Sequence, residues 1–522
     1  MDTKALKQKI LDLAIRGKLV PQDPNDEPAS VLLEKIRAEK QQMVKDGMLK
    51  SKDLKNDTVI FVGEDNLHYE KFSDGTIKCL KDEIPFEVPA GWIWCRLKNI
   101  STTNIGLNYH PEDINDQGVA VLRSNNIKDN VIDYSDLVKV NCAIKDNQYL
   151  NNHDILICSR NGSKNLVGKC AVYEGDPERF SFGAFMAVLR TSLYEYVYYY
   201  LLTNVFRKLF HSDDSKQINQ VTQTILKEAL IPLPPFQEQS RISSAIKSLF
   251  SYVDSFDANK KELTEIVSQT RSKILDLAIR GKLVPQDSDD EPATVLLERI
   301  RRKKEELIKA GKLKRDKRES VIFRGEDNSY YETIGSKTVN IKDELPYNIP
   351  STWTWVRLGT IGNWGAGATP NRAHSEYYGG GIPWLKTGDL NDDYITEIPE
   401  TITELALKET SVKLNPVGSI LIAMYGATIG KLGILTKPAT TNQACCACCP
   451  VEGVYNKYLF YCLMSHKSKF INCGIGGAQP NISNEKIVAT LMPLPPINEQ
   501  KAIVARIEKL GFLLNSINAD IA

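Results

Sequence analysis

The chain has 522 residues, a formal net charge of +1, 42% hydrophobic residues and 25% charged residues. These values are ordinary for a folded globular protein and argue against both a disordered chain and a membrane protein. The length predicts about three folded units, and the nearly neutral charge neither requires nor excludes binding to nucleic acid.

The start of the chain and its cysteines indicate a cellular compartment. The first residues lack the apolar stretch of a secretory signal, and the most apolar run, residues 420–435, is short and contains Lys431. The eleven cysteines form no disulfide-like framework, which fits a reducing environment. We therefore expect a cytoplasmic protein.

An internal repeat is the main feature of the sequence. Residues 9–23 recur without a change at 273–287, and fifteen identical residues cannot arise by chance. Further matching pairs are 26–34 with 290–298, 59–66 with 321–328, 82–97 with 343–358, and 231–239 with 492–500. We call these matching segments the frame.

The residues between the matching segments differ almost everywhere. We call residues 98–230 module 1 and residues 359–491 module 2. A solenoid would repeat every 20–50 residues and would keep its interior, so this class is unsuitable. A shared frame around divergent contents predicts two large modules of different specificity on one scaffold.

The first element predicted along the chain is an N-terminal helix with an apolar stripe of Leu6, Ile10 and Leu13. At an offset of 264 residues, these positions correspond to Thr270, Ile274 and Leu277. The N-terminal helix therefore repeats the second half of a longer central helix.

Each module is predicted to be mixed in character, α+β with a curved sheet. Strand-like runs at 154–158, 168–173 and 418–424 lie between glycine-rich and asparagine-rich turns. Helical stretches follow near 194–210 and 455–470. The alternating Trp92 and Trp94, like Trp353 and Trp355, indicate the core side of a strand rather than base stacking.

The central helix is predicted from its start signal and its periodicity. Pro234 and Pro235 followed by Glu238 favour a helix N-terminus, and Gly281 and Pro285 end the pattern. Apolar steps of four and three between them are typical of a coiled-coil seam, and the helix would be about 65 Å long. The seam residues in its first part are Ile242, Ile246, Leu249, Val253, Phe256 and Leu263.

A basic run follows the central helix, with eleven Lys or Arg against three acidic residues between Arg299 and Arg318. Such a block is typical of a solvated helix-loop surface, and docking of a partner is the alternative.

The C-terminal helix repeats the first half of the central seam. Its apolar positions stop with the chain end, so the two chain ends together would rebuild one copy of the central helix. These positions are Ile503, Ile507, Leu510, Leu514, Ile517 and Ile521.

Motifs for catalysis or for cofactors are incomplete. The loop 426–431 lacks the Walker A spacing, and the cysteines at 445–449 have no second pair at zinc-finger distance, so buried strand residues are favoured over zinc. Neither an amino-methyltransferase motif nor a common nuclease dyad is found. We expect no catalytic residues, no metal and no cofactor.

The motifs of module 2 resemble the specificity subunits of type I restriction-modification systems. The Pro-Leu-Pro-Pro-x-x-Glu-Gln entry to a long helix, at 232–239 and 493–500, is their most specific mark. Module 1 departs from the pattern at 159–163 and 217–220. The other motifs are 368–370, 377–384, 386–390, 426–431, 441–443 and 479–483.

This resemblance implies a DNA-binding subunit with two target-recognition domains, each of which reads one half of a split double-stranded DNA target. It implies an α+β fold, pseudo-two-fold and circularly permuted in plan, with two long antiparallel coiled-coil helices that separate the domains. Two methyltransferase subunits would dock on this scaffold, and motor-nuclease subunits would join for cleavage.

The predicted boundaries follow the frame. They are 1–91, whose helix pairs with the C-terminal helix; 92–233, target-recognition domain 1; 234–352, the central conserved region; 353–494, target-recognition domain 2; and 495–522, the C-terminal helix.

Base reading requires Arg, Lys, Asn, Gln or Thr side chains on loops that enter a groove, and both modules supply them. For any one candidate, a surface polar residue or a turn former is the competing interpretation. The candidates in module 1 are Arg123, Asn125, Asn126, Lys128, Arg160, Asn161, Ser163, Lys164 and Lys169. The candidates in module 2 are Thr369, Asn371, Arg372, Lys386, Thr387, Tyr425, Thr428, Lys431 and Gln479.

Two other classes of function are compatible with the sequence. One is an unusual fused methyltransferase or nuclease, which binding of S-adenosylmethionine to the purified chain would favour. The other is a coiled-coil scaffold with two modules that bind proteins.

Overall fold

The structure is a computed structural model that describes residues 2–47, 57–163, 166–210, 220–311, 319–474 and 481–521. It divides into two compact units, Met1–Asn259 and Lys260–Ala522. Both units contain helices and mainly antiparallel sheets, with one parallel strand pair in module 1 and two in module 2 among the described residues, so the α+β class with two modules is confirmed. Among the described residues, no helix is long and apolar enough to span a bilayer.

The first unit begins with two frame helices and a small antiparallel sheet, in the strand order β1-β2-β3. These elements are α1 (Thr3–Ile15), α2 (Ala29–Lys45), β1 (Val59–Val62), β2 (His68–Lys71) and β3 (Ile77–Cys79).

Module 1 lies between two frame strands that pair with each other, β4 (Ile93–Arg96) and β14 (Leu230–Leu233). It contains a four-stranded sheet in the order β11-β10-β13-β5 and a three-stranded sheet in the order β12-β6-β9. Its elements are α3 (Leu97–Ile100), β5 (Thr102–Ile105), β6 (Ile114–Leu122), β7 (Ile127–Lys128), β8 (Val131–Ile132), β9 (Val138–Val140), β10 (Ile155–Cys158), β11 (Cys170–Val172), β12 (Phe180–Phe182), β13 (Met186–Arg190), α4 (Tyr194–Leu201), α5 (Asn204–Arg207) and α6 (Gln223–Glu228).

The central helix and the second unit repeat this plan. The frame strands β18 and β27 pair around module 2, whose larger sheet has the order β19-β26-β23-β24-β21. The elements up to the module are α7 (Phe236–Ile279), α8 (Ala293–Lys309), β15 (Ser320–Arg324), β16 (Tyr330–Ile334), β17 (Lys337–Asn340) and β18 (Thr354–Arg357).

The remaining elements complete module 2 and the C-terminal helix. They are α9 (Leu358–Ile361), β19 (Gly362–Ala366), β20 (Tyr378–Leu385), β21 (Asp393–Ile395), β22 (Thr401–Ile402), α10 (Glu404–Glu409), β23 (Ile420–Ala423), β24 (Leu432–Leu435), β25 (Thr440–Thr441), β26 (Cys445–Pro450), α11 (Asn456–Ser465), α12 (Lys467–Gly474), α13 (Asn484–Val488), β27 (Leu491–Leu494) and α14 (Ile497–Ile521).

The long central helix is confirmed, since α7 is continuous over 44 residues. Its first turn shows why the Glu-Gln pair stands there. The indole Nε1 of Trp92 donates to Glu238 at 2.9 Å, and the Gln22 amide donates to the same carboxylate at 3.1 Å. The Gln239 amide donates to the Pro234 carbonyl at 2.9 Å. The motif therefore fixes the helix start against the frame.

The second unit has the same contacts at the start of α14. The indole Nε1 of Trp353 donates to Glu499 at 2.8 Å, and the Gln286 amide donates to it at 2.5 Å. Burial raises the pKa of Glu499 above its ordinary value of 4.5, although both hydrogen bonds act in the opposite direction. All four predicted core tryptophans are buried.

Each unit contains its own antiparallel pair of helices. In the first unit, Lys7 of α1 and Asp254 of α7 form an ion pair at 2.5 Å. In the second unit, Arg271 of α7 donates to Asn515 of α14 at 2.5 Å. The two contacts occupy equivalent positions in the repeat, which supports the pseudo-symmetric plan.

The predicted seam is buried or half-buried at most positions and wrong at three. Phe256 is 44% exposed, and Leu263 and Ile517 are each 39% exposed, because they lie beyond the stretches of α7 and α14 that pack into the cores. Leu13, Leu510 and Leu514 are only half-buried and belong to neither large core cluster. The seam residues in or against the cores are Leu6, Ile10, Ile242, Ile246, Leu249, Val253, Ile503 and Ile507.

Ion pairs that are partly buried hold each small frame sheet against the frame strand at the start of its module. The Arg96 guanidinium donates to Glu70 at 2.6 Å and to Glu83 at 2.9 Å, while Arg357 makes the equivalent bonds to Glu332 and Glu344 at 2.6 and 2.8 Å. The hydrogen bonds from Arg357 hold the pKa of Glu332 below its ordinary value.

The cysteine cluster lies on strand β26. Cys445, Cys446 and Cys448 are buried and Cys449 is exposed, and burial raises the pKa of the Cys446 thiol to about 12. In the described part of the chain, no group of His, Cys, Asp or Glu is arranged to hold a metal ion. The cluster packs as strand residues.

Candidate nucleic-acid interface

The first segment of the candidate surface is the turn after a long strand. In module 1, the Arg123 backbone N–H donates to the Asn126 side chain at 2.9 Å and opens a 3₁₀ turn after β6. In module 2, the Lys386 backbone N–H donates to Asp389 at 2.8 Å and opens the same turn after β20. Arg123 and Lys386 therefore occupy equivalent positions.

The second segment is the loop after the most buried strand of each larger sheet. Arg160 follows β10 and forms a backbone bridge with Gln220, while Tyr425 follows β23 and forms the equivalent bridge with Asn481. The loops share one backbone plan and present an arginine in module 1 and a tyrosine in module 2.

The third segment is the tight connection before the next sheet strand. The Ser159 backbone N–H donates to the Phe185 carbonyl at 2.9 Å, and the Met424 N–H donates to the Ala444 carbonyl at 2.8 Å. Phe185 is 61% exposed beside Arg160, whose guanidinium lies 5.8 Å from the ring centre. Phe185 was not among the predicted candidates. Its position in the short Gly-Ala-Phe connection at 183–185, between polar loops, is a sequence signal for an exposed aromatic side chain.

The structure brings most module 1 candidates together on one surface, formed by the turn after β6, the loop after β10 and the start of β11. We call this surface the edge of module 1. The Asn161 amide donates to Ser124 at 3.1 Å and joins the second loop to the first turn. The Lys169 ammonium donates to the Ile127 carbonyl at 3.2 Å beside them. Asn125 and Ser163 are exposed on this edge.

The module 2 candidates form the same edge from different side chains. Thr369 donates to Gln443, and the Thr428 hydroxyl donates to the Tyr425 carbonyl at 3.1 Å. Asn371 is exposed, while Thr387 and Lys431 are half-buried. Lys431 precedes β24 as Lys169 precedes β11.

One candidate is corrected by the structure. Asn126 is completely buried, its carbonyl oxygen accepts the Arg123 N–H, and its amide donates to the carbonyls of Asp133 and Asp136 at 3.0 and 2.9 Å. Both ends of the side-chain amide stabilise the turn, so the prediction of Asn126 as a DNA contact is wrong. Lys164 and Gln479 lie outside the described residues.

Carboxylates neutralise several basic candidates. Arg123 pairs with Asp136 at 3.1 Å, and Lys128 pairs with Asp133. Hydrogen bonding from Lys128 lowers the pKa of Asp133 to about 2. In module 2, Lys386 and Arg372 share Glu400, and Lys386 contributes most to the lowered pKa of that carboxylate.

Aromatic rings add a further contact to Arg372. Its guanidinium carbon lies 4.6 Å from the Tyr378 ring centre and 5.2 Å from that of Trp384. The sequence motif 377–384 contained both aromatic residues, but only the fold places them beside Arg372. This edge can donate several charged and neutral hydrogen bonds to a ligand.

A family model described as "Type I restriction modification DNA specificity domain" matches residues 89–266 and 350–522. The EcoAI specificity subunit of Escherichia coli is 27% identical over 97% of this chain and 88% of that protein. The EcoEI specificity subunit of Escherichia coli is 25% identical over the same shares.

A solved structure also matches, the HsdS subunit from Thermoanaerobacter tengcongensis. It has a TM-score of 0.50 and 16% identity, and the match covers 84% of this chain and 93% of that one. A chain from a type I R-M system matches with a TM-score of 0.56 and 16% identity, over 84% of this chain and 94% of that one. These likenesses agree with the α+β fold.

Proposed function

The chain belongs to the type I restriction-modification DNA specificity family, and from this premise we propose how its two modules divide the recognition of DNA. The protein is a DNA-binding specificity subunit for a bipartite target. Module 1 reads one half of the target through the edge around Arg123 and Arg160, and module 2 reads the other half through the edge around Lys386 and Tyr425.

The equivalence of the two edges carries this proposal. The same turn presents Arg123 in one module and Lys386 in the other, and the same loop presents Arg160 and Tyr425. Two modules that recognise different base sequences need a common backbone with different side chains. Each base pair presents its own pattern of donors and acceptors, which a protein side chain must complement.

The candidate side chains divide by chemistry. Arginine donates two bonds to guanine and asparagine pairs with adenine, so Arg160, Asn125 and Asn371 suit base edges. Ammonium groups suit phosphates, and Lys169 and Lys431 stand at one equivalent position in both modules. Polar residues beside them complete the proposed surface, namely Asn161, Ser163, Thr369, Thr387, Tyr425 and Thr428.

The helices form the proposed spacer and docking surface. In the first unit, α7 exposes Tyr252 and Phe256, and in the second unit α14 exposes Phe512 and Leu513. Exposed apolar side chains on frame helices support docking of partner subunits there. We propose two methyltransferase subunits, one for each repeat, and motor-nuclease subunits in the cleaving complex.

The chain is proposed to be non-catalytic and to work in the cytoplasm, where its DNA and its partners are found. The missing methyl-transfer motif supports this proposal, and the runner-up is a fused methyltransferase. Incubation of the purified full chain with DNA and labelled S-adenosylmethionine is expected to transfer no label. Transfer that follows the chain through purification would contradict the non-catalytic role.

Mapping of methylated bases in a host that carries this chain and its partners tests the proposed function. The expected result is one split motif with two fixed halves and a constant spacer. Deletion of the gene should remove that methylation. A continuous motif, or an unchanged pattern after deletion, would contradict the two-reader proposal and favour modules that bind proteins.

A further inference from the structure

Both modules place a carboxylate against the first cation of the turn, although the two carboxylates lie two residues apart in the strand register. Asp136 precedes Val138, which pairs with Val121, whereas Glu400 lies opposite Trp384. Asp136 accepts a bond from Arg123, and Glu400 accepts bonds from Lys386 and Arg372. In each module, the carboxylate reaches the cation at the start of the turn after the long strand. Each module thus sets a carboxylate of its own against the first cation of this turn.

The backbone fixes both carboxylates independently of their charge. The Asp136 carbonyl accepts the Asn126 amide at 2.9 Å, and the Glu400 carbonyl accepts the Trp384 N–H at 2.9 Å. A change of either side chain therefore leaves the placement of its residue intact. Substitution of either carboxylate by its amide therefore tests the effect of its charge without displacing the backbone.

Pairing changes what a cation attracts. Arg123 and Asp136 form a neutral pair, so the Coulomb attraction of Arg123 for a phosphate is largely cancelled, whereas Lys386 and Arg372 keep one net positive charge beside Glu400, so their attraction is reduced. The remaining N–H groups of these cations still donate to the neutral acceptors on a base edge. Arg123 donates to Asp136 through only one of its terminal nitrogens, and Arg372 donates to Glu400 through only one of its own.

We infer that Asp136 and Glu400 are specificity-determining positioning residues, which direct Arg123 and the Lys386–Arg372 pair toward base edges and away from phosphates. This inference rests on the proposed function, since it assumes that both edges contact DNA. Lys169 and Lys431, for which the described residues provide no carboxylate partner, are the phosphate-binding counterparts.

Each substitution removes one negative charge. Asp136→Asn frees the single cation Arg123, whereas Glu400→Gln frees one charge equivalent shared by Lys386 and Arg372. Each freed charge that finds a phosphate should steepen the dependence of log affinity on log salt by about 0.9. Affinity for non-target DNA should increase by about two- to five-fold for each freed charge.

Affinity for the target is expected to stay unchanged or to decrease, because the freed side chains lose their orientation. Discrimination should decrease for single-base changes in the half-site read by the altered module only. Glu27→Gln and Glu508→Gln serve as controls, since they remove one charge each from the exposed pairs with Lys35 and Lys457 at 2.6 and 2.7 Å.

The experiment measures binding of the full chain to three duplexes: the mapped target, the target with one changed base, and unrelated DNA, each over a salt series. Greater loss of discrimination than in the controls, with a steeper salt slope of similar size in Asp136→Asn and in Glu400→Gln, supports the inference. Adding Arg123→Ala to Asp136→Asn should abolish the gain in non-target affinity.

Variants that match the controls in both discrimination and salt slope overturn the inference. In that case, a wild-type chain that still prefers its target continues to support the proposed function. A wild-type chain with no preference for the mapped target overturns the proposed function instead. A loss of discrimination in both half-sites by a single variant also overturns the inference, because it indicates a general structural defect.

Discussion

The frame and the module edges use the same duplicated backbone in opposite ways. In the frame, Trp92 with Glu238 and Trp353 with Glu499 make the same contact from the same residue types. At the edges, Arg160 and Tyr425 occupy one backbone position with different chemistry. The frame contacts are the same in both units, whereas the side chains at the edges differ on a common backbone.

The largest expected difference between the two regions is in stability. Arg96→Met should lower the free energy of unfolding by about 3–5 kcal/mol, because it leaves the buried Glu70 carboxylate without its partner. Arg160→Met, at an exposed edge, should change it by less than about 0.5 kcal/mol. Denaturant titration measures both, and comparable losses would contradict the division into frame and edge.

The double variant Arg96→Met with Glu70→Met sharpens this comparison. It removes both charges of the buried pair, so much of the stability lost in the single variant should return. No recovery would indicate that Arg96 stabilises the sheet mainly through its bond to the Glu228 carbonyl at 2.7 Å.

A smaller effect is expected from the edge lysines. Lys169→Ala and Lys431→Ala should weaken binding to all DNA sequences alike and reduce the salt slope by about one each. Anisotropy titrations of target and unrelated duplexes over a salt series measure this. A selective loss of target binding would assign these lysines to base reading instead.

The smallest expected effect is a pH dependence of the frame. Because burial raises the pKa of Glu499 in the folded state, the folded protein binds more protons than the unfolded one just above pH 4.5. Stability should therefore fall slightly as pH rises through that window. Glu499→Gln should remove this contribution, while Glu508→Gln should retain it in parallel melting curves.

The sequence predicted the frame well because its signals are local or repeated. The start of α7 followed from the prolines and Glu238, and the burial of Ile242 and Ile246 followed from the apolar period. The same period failed at Phe256 and Leu263, since a heptad pattern records which residues share a helix face and not where a neighbouring element ends.

The edges were less predictable because their contacts join distant segments. Asn126 has the composition of a base reader, yet its partners Asp133 and Asp136 bury it in a turn. The pairing of Arg372 with Glu400 spans 28 residues, and no periodicity marks it. Residue type indicated the chemistry of the edge, but only the fold shows which of the candidate residues are exposed.

Exchange of module 1 tests the central claim most directly. Residues 98–230 would be replaced by the corresponding module of another family member, with β4 and the frame segment 231–239 unchanged. Methylated bases would then be mapped in cells with the partner subunits. We predict that one half of the split target changes while the other half and the spacer length stay the same. A change in both halves, or in neither, would contradict an account in which each module reads one half-site.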